Sequence, residues 1–464
     1  MAERLDPGAW LRAGTLAFLA ATLGVLAGLE PELAILTSLA LAYALAAVVS
    51  LSWGLVGFIA ISFLALLPSL GGPLLSLSKI VGGLLAISWL AGVASGRYKR
   101  LFPTDHPGIS LAIIAFLTWN LLSVVWAEDG SRVYGYTVTF SLSFLLFPIV
   151  YSATTSTRVA RMLVLGFVAG AAFTAAYGIF VQPDASGLAG SPSATAGLDR
   201  LAGTVGDPNE LAALLVAGIA LSGAIVFNPA VSGPVRTATA GAAGLMLLGV
   251  LMTLSRGGLV ALAALLLTGM LVATRHRGQI ALAGSVILAF ALIFFFGVAS
   301  PEARDRITDN DGGSGRTDIW KVGGRIVEAE PLTGVGAANF QVASIHSVIA
   351  PGSLQSDERL VNNPAVVHNS YLQILTETGI PGLALFLGIV GACIAAANRA
   401  RRAFASRGDR DGELLAIAVI CAIVSVLAAD FFLSEESSKH LWFLLALGPA
   451  LLGVSRANRP ADAV

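Results

Sequence analysis

Residues 413–432 read Glu413-Leu414-Leu415-Ala416-Ile417-Ala418-Val419-Ile420-Cys421-Ala422-Ile423-Val424-Ser425-Val426-Leu427-Ala428-Ala429-Asp430-Phe431-Phe432, with no charged side chain between Glu413 and Asp430. A helix of about 20 such residues covers a hydrocarbon core of about 30 Å. Runs of this kind recur from end to end, at 10–29, 33–49, 53–67, 79–94, 109–126, 137–151, 159–181, 208–227, 235–254, 257–274, 280–299, 380–397 and 440–454. The chain is 56% hydrophobic and 12% charged over 464 residues, with a mean hydropathy of +0.81. That is too much apolar surface for a water-soluble globule of this size. The reading is an all-α polytopic integral membrane protein of fourteen spans, or about twelve should short neighbours merge.

The ends and the cysteines add little chemistry. Arg4 and Arg12 precede an apolar run that continues directly into a second span without an Ala-x-Ala site, so the first span reads as an anchor and not as a cleaved signal. Cys393 and Cys421 both lie inside apolar runs and read as small hydrophobes, with no disulfide framework or metal site implied.

Orientation follows from the Lys and Arg residues, which concentrate in cytoplasmic loops. With the N-terminus inside, seventeen of the twenty-eight fall on inner segments, among them Arg97, Lys99, Arg100, Arg158, Arg161, Arg236, Arg275, Arg277, Arg399, Arg401, Arg402, Arg407 and Arg410. Five fall on short outer loops: Lys79, Arg132, Arg200, Arg256 and Lys439. The other six, Arg304, Arg306, Arg316, Lys321, Arg325 and Arg359, belong to a long polar stretch that the rule weighs little. Both termini are therefore expected in the cytoplasm. The zero formal net charge conceals this asymmetry and leaves no basic face for nucleic acid.

Four regions result: membrane helices over 1–181, central helices with the Arg200 and Arg256 loops over 182–300, a large outward loop with short helices over 301–370, and the last helices over 371–464. Three outward places carry chemistry. The loop after the seventh span closes as Asp199-Arg200-Leu201-Ala202-Gly203-Thr204-Val205-Gly206-Asp207-Pro208-Asn209-Glu210, where Pro208 opens a helix that Asp207 caps. Asp207 and Asn209 read as shaping that helix start. Next, Thr253-Leu254-Ser255-Arg256-Gly257-Gly258 turns the chain between two spans with almost no loop, which sets Arg256 at the membrane surface. A guanidinium there snorkels to water or meets an anion.

The third place is the segment 301–368. Gly313-Ser314-Gly315-Arg316-Thr317-Asp318-Ile319-Trp320 leads into an amphipathic helix with Ile319, Trp320, Val322, Ile326 and Val327 at helical spacing, stopped by Pro331. Arg316 is placed to pair with Asp309, Asp311 or Asp318, or to hold substrate. After Pro331-Leu332-Thr333-Gly334-Val335-Gly336-Ala337-Ala338-Asn339-Phe340 the segment ends in His368-Asn369-Ser370-Tyr371-Leu372, followed by Glu377-Thr378-Gly379-Ile380-Pro381-Gly382. His346 shares the loop and is the second candidate base. His106, His276 and His440 lie at span ends and read as surface residues, and Asp430 is placed to pair with Lys439 or Arg256.

Five patches in this order resemble the O-antigen ligase and O-antigen polymerase superfamily: Arg200 with Gly206-Asp207-Pro208-Asn209; Ser255-Arg256-Gly257; Gly315-Arg316 with Trp320; Pro331 to Gly336 with Phe340; and His368-Asn369-Ser370-Tyr371-Leu372 with Glu377 to Gly382. The likeness covers residues 200–386. It implies a catalytic histidine on a large outward loop, arginines from separate loops on a lipid diphosphate, and no metal ion or other cofactor.

Residue chemistry leads to the same place. A diphosphate leaving group needs cations, and arginine has a permanently charged fork suited to phosphate oxygens. Arg200, Arg256 and Arg316 would supply it, with Asn369 beside them on substrate. An attacking hydroxyl must lose a proton, and a neutral histidine with a pKa of about 6.5 is a natural general base. His368 is that candidate. Taken alone it reads equally as a polar start to the next helix. The expected function is transfer of a glycan from a polyprenyl (undecaprenyl) diphosphate to an acceptor hydroxyl on a glycan or glycolipid, at the outer face of a bacterial cytoplasmic membrane. A polymerase joining lipid-linked repeat units would share base and clamp. A transporter of the same lipid is disfavoured by the lack of internal repeats and by a site at one face.

Overall fold

The computed structural model describes residues 21–22, 24–64, 77–181, 200–298, 316–348 and 366–457. Regular structure among them is helical throughout. In chain order the helices are α1 (Pro31–Val49), α2 (Leu51–Ser62), α3 (Leu77–Ala94), α4 (Phe102–Asp105), α5 (Pro107–Leu122), α6 (Gly130–Phe144), α7 (Leu146–Ala153), α8 (Thr157–Phe180) and α9 (Pro208–Val226). They continue as α10 (Gly233–Met252), α11 (Arg256–Val272), α12 (Arg277–Ile293), α13 (Arg316–Ala329), α14 (Phe340–Val348), α15 (Ser370–Ser406), α16 (Arg410–Ala429) and α17 (Lys439–Ala457).

Among the described residues nine helical stretches are long and apolar enough to cross a membrane, and four shorter apolar helices accompany them. The protein is a multi-pass membrane protein. The expected span 10–29 lies largely outside the described residues. The expected span 137–151 proves to be the middle of a longer crossing, Gly130–Ala153, in which α6 and α7 run on with a slight bend.

Burial sorts the helices. α16 and α17 are buried along most of their length, and α9 nearly so, whereas no residue of α12 is buried. In a bilayer, apolar side chains gain nothing by leaving lipid for one another, so close packing must hold the bundle. An aromatic cluster does this at its centre. The indole of Trp442 lies 4.4 Å from the ring of Phe144 and about equally close to Phe140, Phe147 and Phe386, at 6.0, 6.1 and 5.9 Å. Trp442 Nε1 also donates to the carbonyl of Glu436 at 2.8 Å, which fixes the segment joining α16 to α17.

The bundle has two chemically different ends. At one, Arg161 and Asn228 both reach Oδ1 of Asp411, at 2.9 and 2.6 Å, and the guanidinium of Arg100 lies 4.6 Å over the ring of Tyr151. The basic residues read from sequence as inner gather here. The other end holds Arg200, Arg256, α13, α14 and His368.

At that second end α15 is broken. Gly379 sits at φ 66°, ψ −171°, inside a helix of 37 residues. A break strands backbone groups, which must find partners where there is no water. Here each is met. Val335 N–H donates to the carbonyl of Thr376 at 3.0 Å, Gly336 N–H to that of Glu377 at 2.9 Å, and Trp119 Nε1 to that of Thr378 at 2.7 Å, while Ile380 N–H donates to the carbonyl of Pro331 at 2.9 Å. Glycine is required at the junction, because Gly379 and Gly334 both have positive φ and a Cβ on either would run into the opposing backbone. Two of the patches quoted from sequence, Pro331 to Gly336 and Glu377 to Gly382, are thus each other's partners.

α13 buries Ile319, Val322 and Ile326, and with Phe340 and Val367 these form a small core of their own beside Leu372 of α15. The amphipathic helix read from sequence therefore packs on the bundle mouth.

Candidate active site

Each member of the His368-Asn369-Ser370 tripeptide has a local task. Val367, just before it, is pinned on both sides, its N–H on Oε1 of Gln373 at 3.1 Å and its carbonyl on Nε1 of Trp320 at 3.0 Å. His368 then turns through φ 52°. Asn369 caps α15, its Oδ1 accepting from the N–H groups of Tyr371 and Leu372 at 3.0 Å each. The hydroxyl of Ser370 donates to the carbonyl of Leu433 at 2.9 Å and accepts from the N–H of Glu435 at 3.0 Å, so the tripeptide is tied to the α16–α17 connection.

Among the described non-glycine residues positive φ occurs at Leu254, Ala338 and His368. Leu254 immediately precedes Ser255-Arg256, and the N–H of Ala338 donates to Oε2 of Glu377 at 2.8 Å. Such conformations cost of order 1–3 kcal/mol each and gather at functional sites. All three of these belong to this end of the bundle.

Asp207 caps α9 as the sequence suggested, accepting from the N–H groups of Asn209 and Glu210 at 2.7 and 2.9 Å. Asn209 does more than shape the helix. Its Oδ1 accepts from Arg200 Nη2 and from Ser255 Oγ, both at 2.9 Å, while Arg200 Nε donates to the carbonyl of Thr253 at 2.9 Å. Ser255 also caps α11, whose first residue is Arg256 with its side chain exposed. The Arg200 and Arg256 segments are thereby one unit.

The charges of Arg316 and Asp207 both act on His368. Burial, and after it the guanidinium of Arg316, hold the imidazole below its usual range, and Asp207 opposes them. An imidazole held below that range is mostly neutral at pH 7. His346, the second candidate, is exposed and sits 3.3 Å from Glu128 Oε1, on the rim. Asp309, Asp311 and Gly313-Ser314-Gly315 lie outside the described residues, as does Asp199; the described carboxylate of Asp318 takes Lys321 at 2.9 Å.

Sequence reading missed the carboxylates beneath the arginines. Glu435 and Glu436 lie in the connection between α16 and α17, close in charge to Glu210 and Asp430. Burial, and then Glu210, push the carboxyl of Glu435 well above its usual range, and burial raises Glu436, whose Oε1 accepts from the hydroxyl of Tyr136 at 2.7 Å. Lys439 is the cation among them, facing Glu210 and Glu435. The polar run Ser434-Glu435-Glu436-Ser437-Ser438-Lys439 between two spans was the available signal. Asp430 does not make the pairing expected of it: it is buried, and neither carboxylate oxygen has a hydrogen-bond partner among the described residues. His440 is no surface residue either. It is buried, with Nε2 2.9 Å from Ser62 Oγ and its ring 4.6 Å from that of Phe63, because the connection before it dips into the bundle. His106, likewise read as surface, is buried against Phe102 and Tyr151.

The described membrane helices thus bring the Arg200 and Arg256 segments, Arg316 and a pinned histidine to one end of the bundle. Residues 241–387, about a third of the chain, match the family described as O-Antigen ligase. The match takes in Arg256, Arg316, the Pro331–Gly336 strap and His368, while Arg200 lies before it and joins through Asn209. No curated protein matches the chain.

Proposed function

We propose that the protein transfers an oligo- or polysaccharide from a polyprenyl (undecaprenyl) diphosphate to an acceptor hydroxyl at the outer face of a bacterial cytoplasmic membrane. His368 is the base and Arg200, Arg256 and Arg316 hold the diphosphate. Oδ1 of Asn369 serves as a helix cap, so its amide Nδ2 is the group with which it meets substrate.

His368 takes the proton of the acceptor hydroxyl as the oxygen attacks the anomeric carbon. The bond from that carbon to the diphosphate oxygen breaks and its electron pair leaves with the diphosphate, whose growing charge the guanidinium groups neutralise. A single displacement of this kind inverts the anomeric centre. The proton passes from the imidazolium to solvent or to the departing diphosphate, restoring the base.

The observation that carries this reading is that Asn209 binds the Arg200 and Ser255-Arg256 segments together, two residues after Asp207, whose charge acts with that of Arg316 on His368. The test is reconstitution of the purified protein with a polyprenyl-diphosphate-linked glycan and an acceptor. Transfer should occur, with Arg256→Ala and Arg316→Ala weakening donor use far more than acceptor use. Donor titrations that match wild type in both variants would remove the diphosphate clamp. Offering either a glycolipid core or a second lipid-linked repeat unit as acceptor separates ligase from polymerase.

A further inference from the structure

A cavity of about 340 Å³ opens on the flank of the bundle away from the arginines, between α3 and the α6–α7 crossing. That volume is within the range of small-molecule sites, about 300–1,000 Å³. Its two walls carry the same gradient of polarity. Along α3 the lining begins with Ser78 and Lys79, passes Gly82 and Gly83 and ends in Leu85 and Ala86. Along the opposite wall Thr139 and Ser143 stand toward the site end with Leu142 between them, and Leu145, Leu146 and Ile149 follow, with Phe58 of α2 behind. Both helices run away from the site end, so the polar tops and apolar floors coincide over about 10 Å, the rise of seven helical residues.

The top has two cations. Ser143 Oγ donates to the carbonyl of Ser437 at 3.0 Å and so fixes the Ser437–Lys439 end of the connection at the cavity's upper rim. Lys439 closes it across from Lys79. On its far side Lys439 faces Glu210 and Glu435, the carboxylates beneath the candidate active site. Val138 and Leu142 stand exposed on this flank, as suits side chains meeting lipid.

We infer that this cavity seats an anionic membrane lipid whose headgroup is a phosphate monoester, its head between Lys79 and Lys439 and the first part of its chain along Leu85, Leu146 and Phe58. A slot that is cationic and hydroxyl-lined above and apolar below, along a membrane flank, matches such an amphiphile in length and in order of polarity. Resting on the proposed transfer reaction, the site receives the lipid on the acceptor side, because Arg200 and Arg256 of the donor side lie near α9 and α11.

The test uses the whole protein in nanodiscs of phosphatidylcholine with a trace of phosphatidic acid bearing a photoreactive group on one acyl chain, and, separately, phosphatidylcholine bearing the same group. Labelling should fall on α3, α6 and α7 and favour the phosphatidic acid probe. Lys79→Ala should cut that preference by about fivefold, as loss of one basic residue at an anionic headgroup does, with Lys79→Arg restoring it. A Cβ on Gly83 meets nothing within 4 Å, so Gly83→Phe fills the slot without disturbing the helix and should abolish labelling there. Equal labelling by both probes, or labelling that survives Gly83→Phe, overturns the site. Labelling needs no turnover: a protein that labels but does not transfer supports the site and counts against the reaction, and one that transfers without labelling overturns the site alone.

Discussion

Oδ1 of Asn209 accepts a hydrogen bond from Nη2 of Arg200 at 2.9 Å, and the same oxygen accepts one from Oγ of Ser255. Arg200 and the residue preceding Arg256 thus share one atom of a third segment. Asn209→Ala removes that atom without touching substrate. A hydrogen bond to a charged group is worth about 1.5 kcal/mol or more, so the donor KM should rise about tenfold or more. The acceptor KM should hold. Initial-rate kinetics with each substrate varied in turn decide it, and an unchanged donor KM would break the link between the two segments.

The pH profile of transfer should have an acidic limb below the ordinary histidine value, since His368 must be neutral to act and its folded-state pKa is depressed. Activity is lost as the pH falls through that depressed value. Arg316→Gln removes a neighbour that lowers it and should move the limb upward. Asp207→Asn keeps the helix cap but removes a neighbour that raises it, and should move the limb downward. Shifts of the same sign in both variants would mean that another group sets the limb.

Backbone and side chain make separable contributions at His368. At φ 52° glycine is relieved of steric cost, so His368→Gly should unfold thermally at or above the wild-type temperature. Its transfer rate should fall by about 10²–10⁴-fold, the usual share of a general base. A destabilised variant would point to a structural role for the imidazole, and an active one would exclude it as base.

Gly379→Ala should be among the most damaging single changes. It places a Cβ against the carbonyl of Leu332 at a positive φ, and the loss should exceed about 2 kcal/mol. Gly391, in the same helix with open space around it, is the control: Gly391→Ala should be neutral or slightly stabilising. Thermal unfolding of both variants in detergent gives the comparison.

What was legible in the sequence was local. Asp207 before Pro208 announces a capped helix through chemistry within three residues, the spacing of Ile319, Val322 and Ile326 announces the buried face of α13, and apolar runs announce spans. The junction at Asn209 was not legible, because side-chain partners from separate loops leave no periodicity. The clustering of the carboxylates was missed for a related reason: Glu210 stands on α9 while Asp430 and Glu435 belong to the α16–α17 connection, and each alone looks like a polar residue at a span end. His440 and His106 misled by the same rule of thumb. Position at a span end implies water only if the adjoining loop stays outside the bundle, and the one before His440 does not.

The break in α15 also bears on how the chain is made. A crossing with stranded carbonyls at Thr376, Glu377 and Thr378 is a poor candidate for lone insertion into lipid. Two of its partners, Val335 and Gly336, and the carbonyl of Pro331 that takes Ile380, are synthesised before it, and Trp119 long before. The ribosome therefore delivers the broken helix after all four of these partners, to a receptor already made. Moving the strap after the helix by circular permutation would reverse that order of birth while leaving every native contact available.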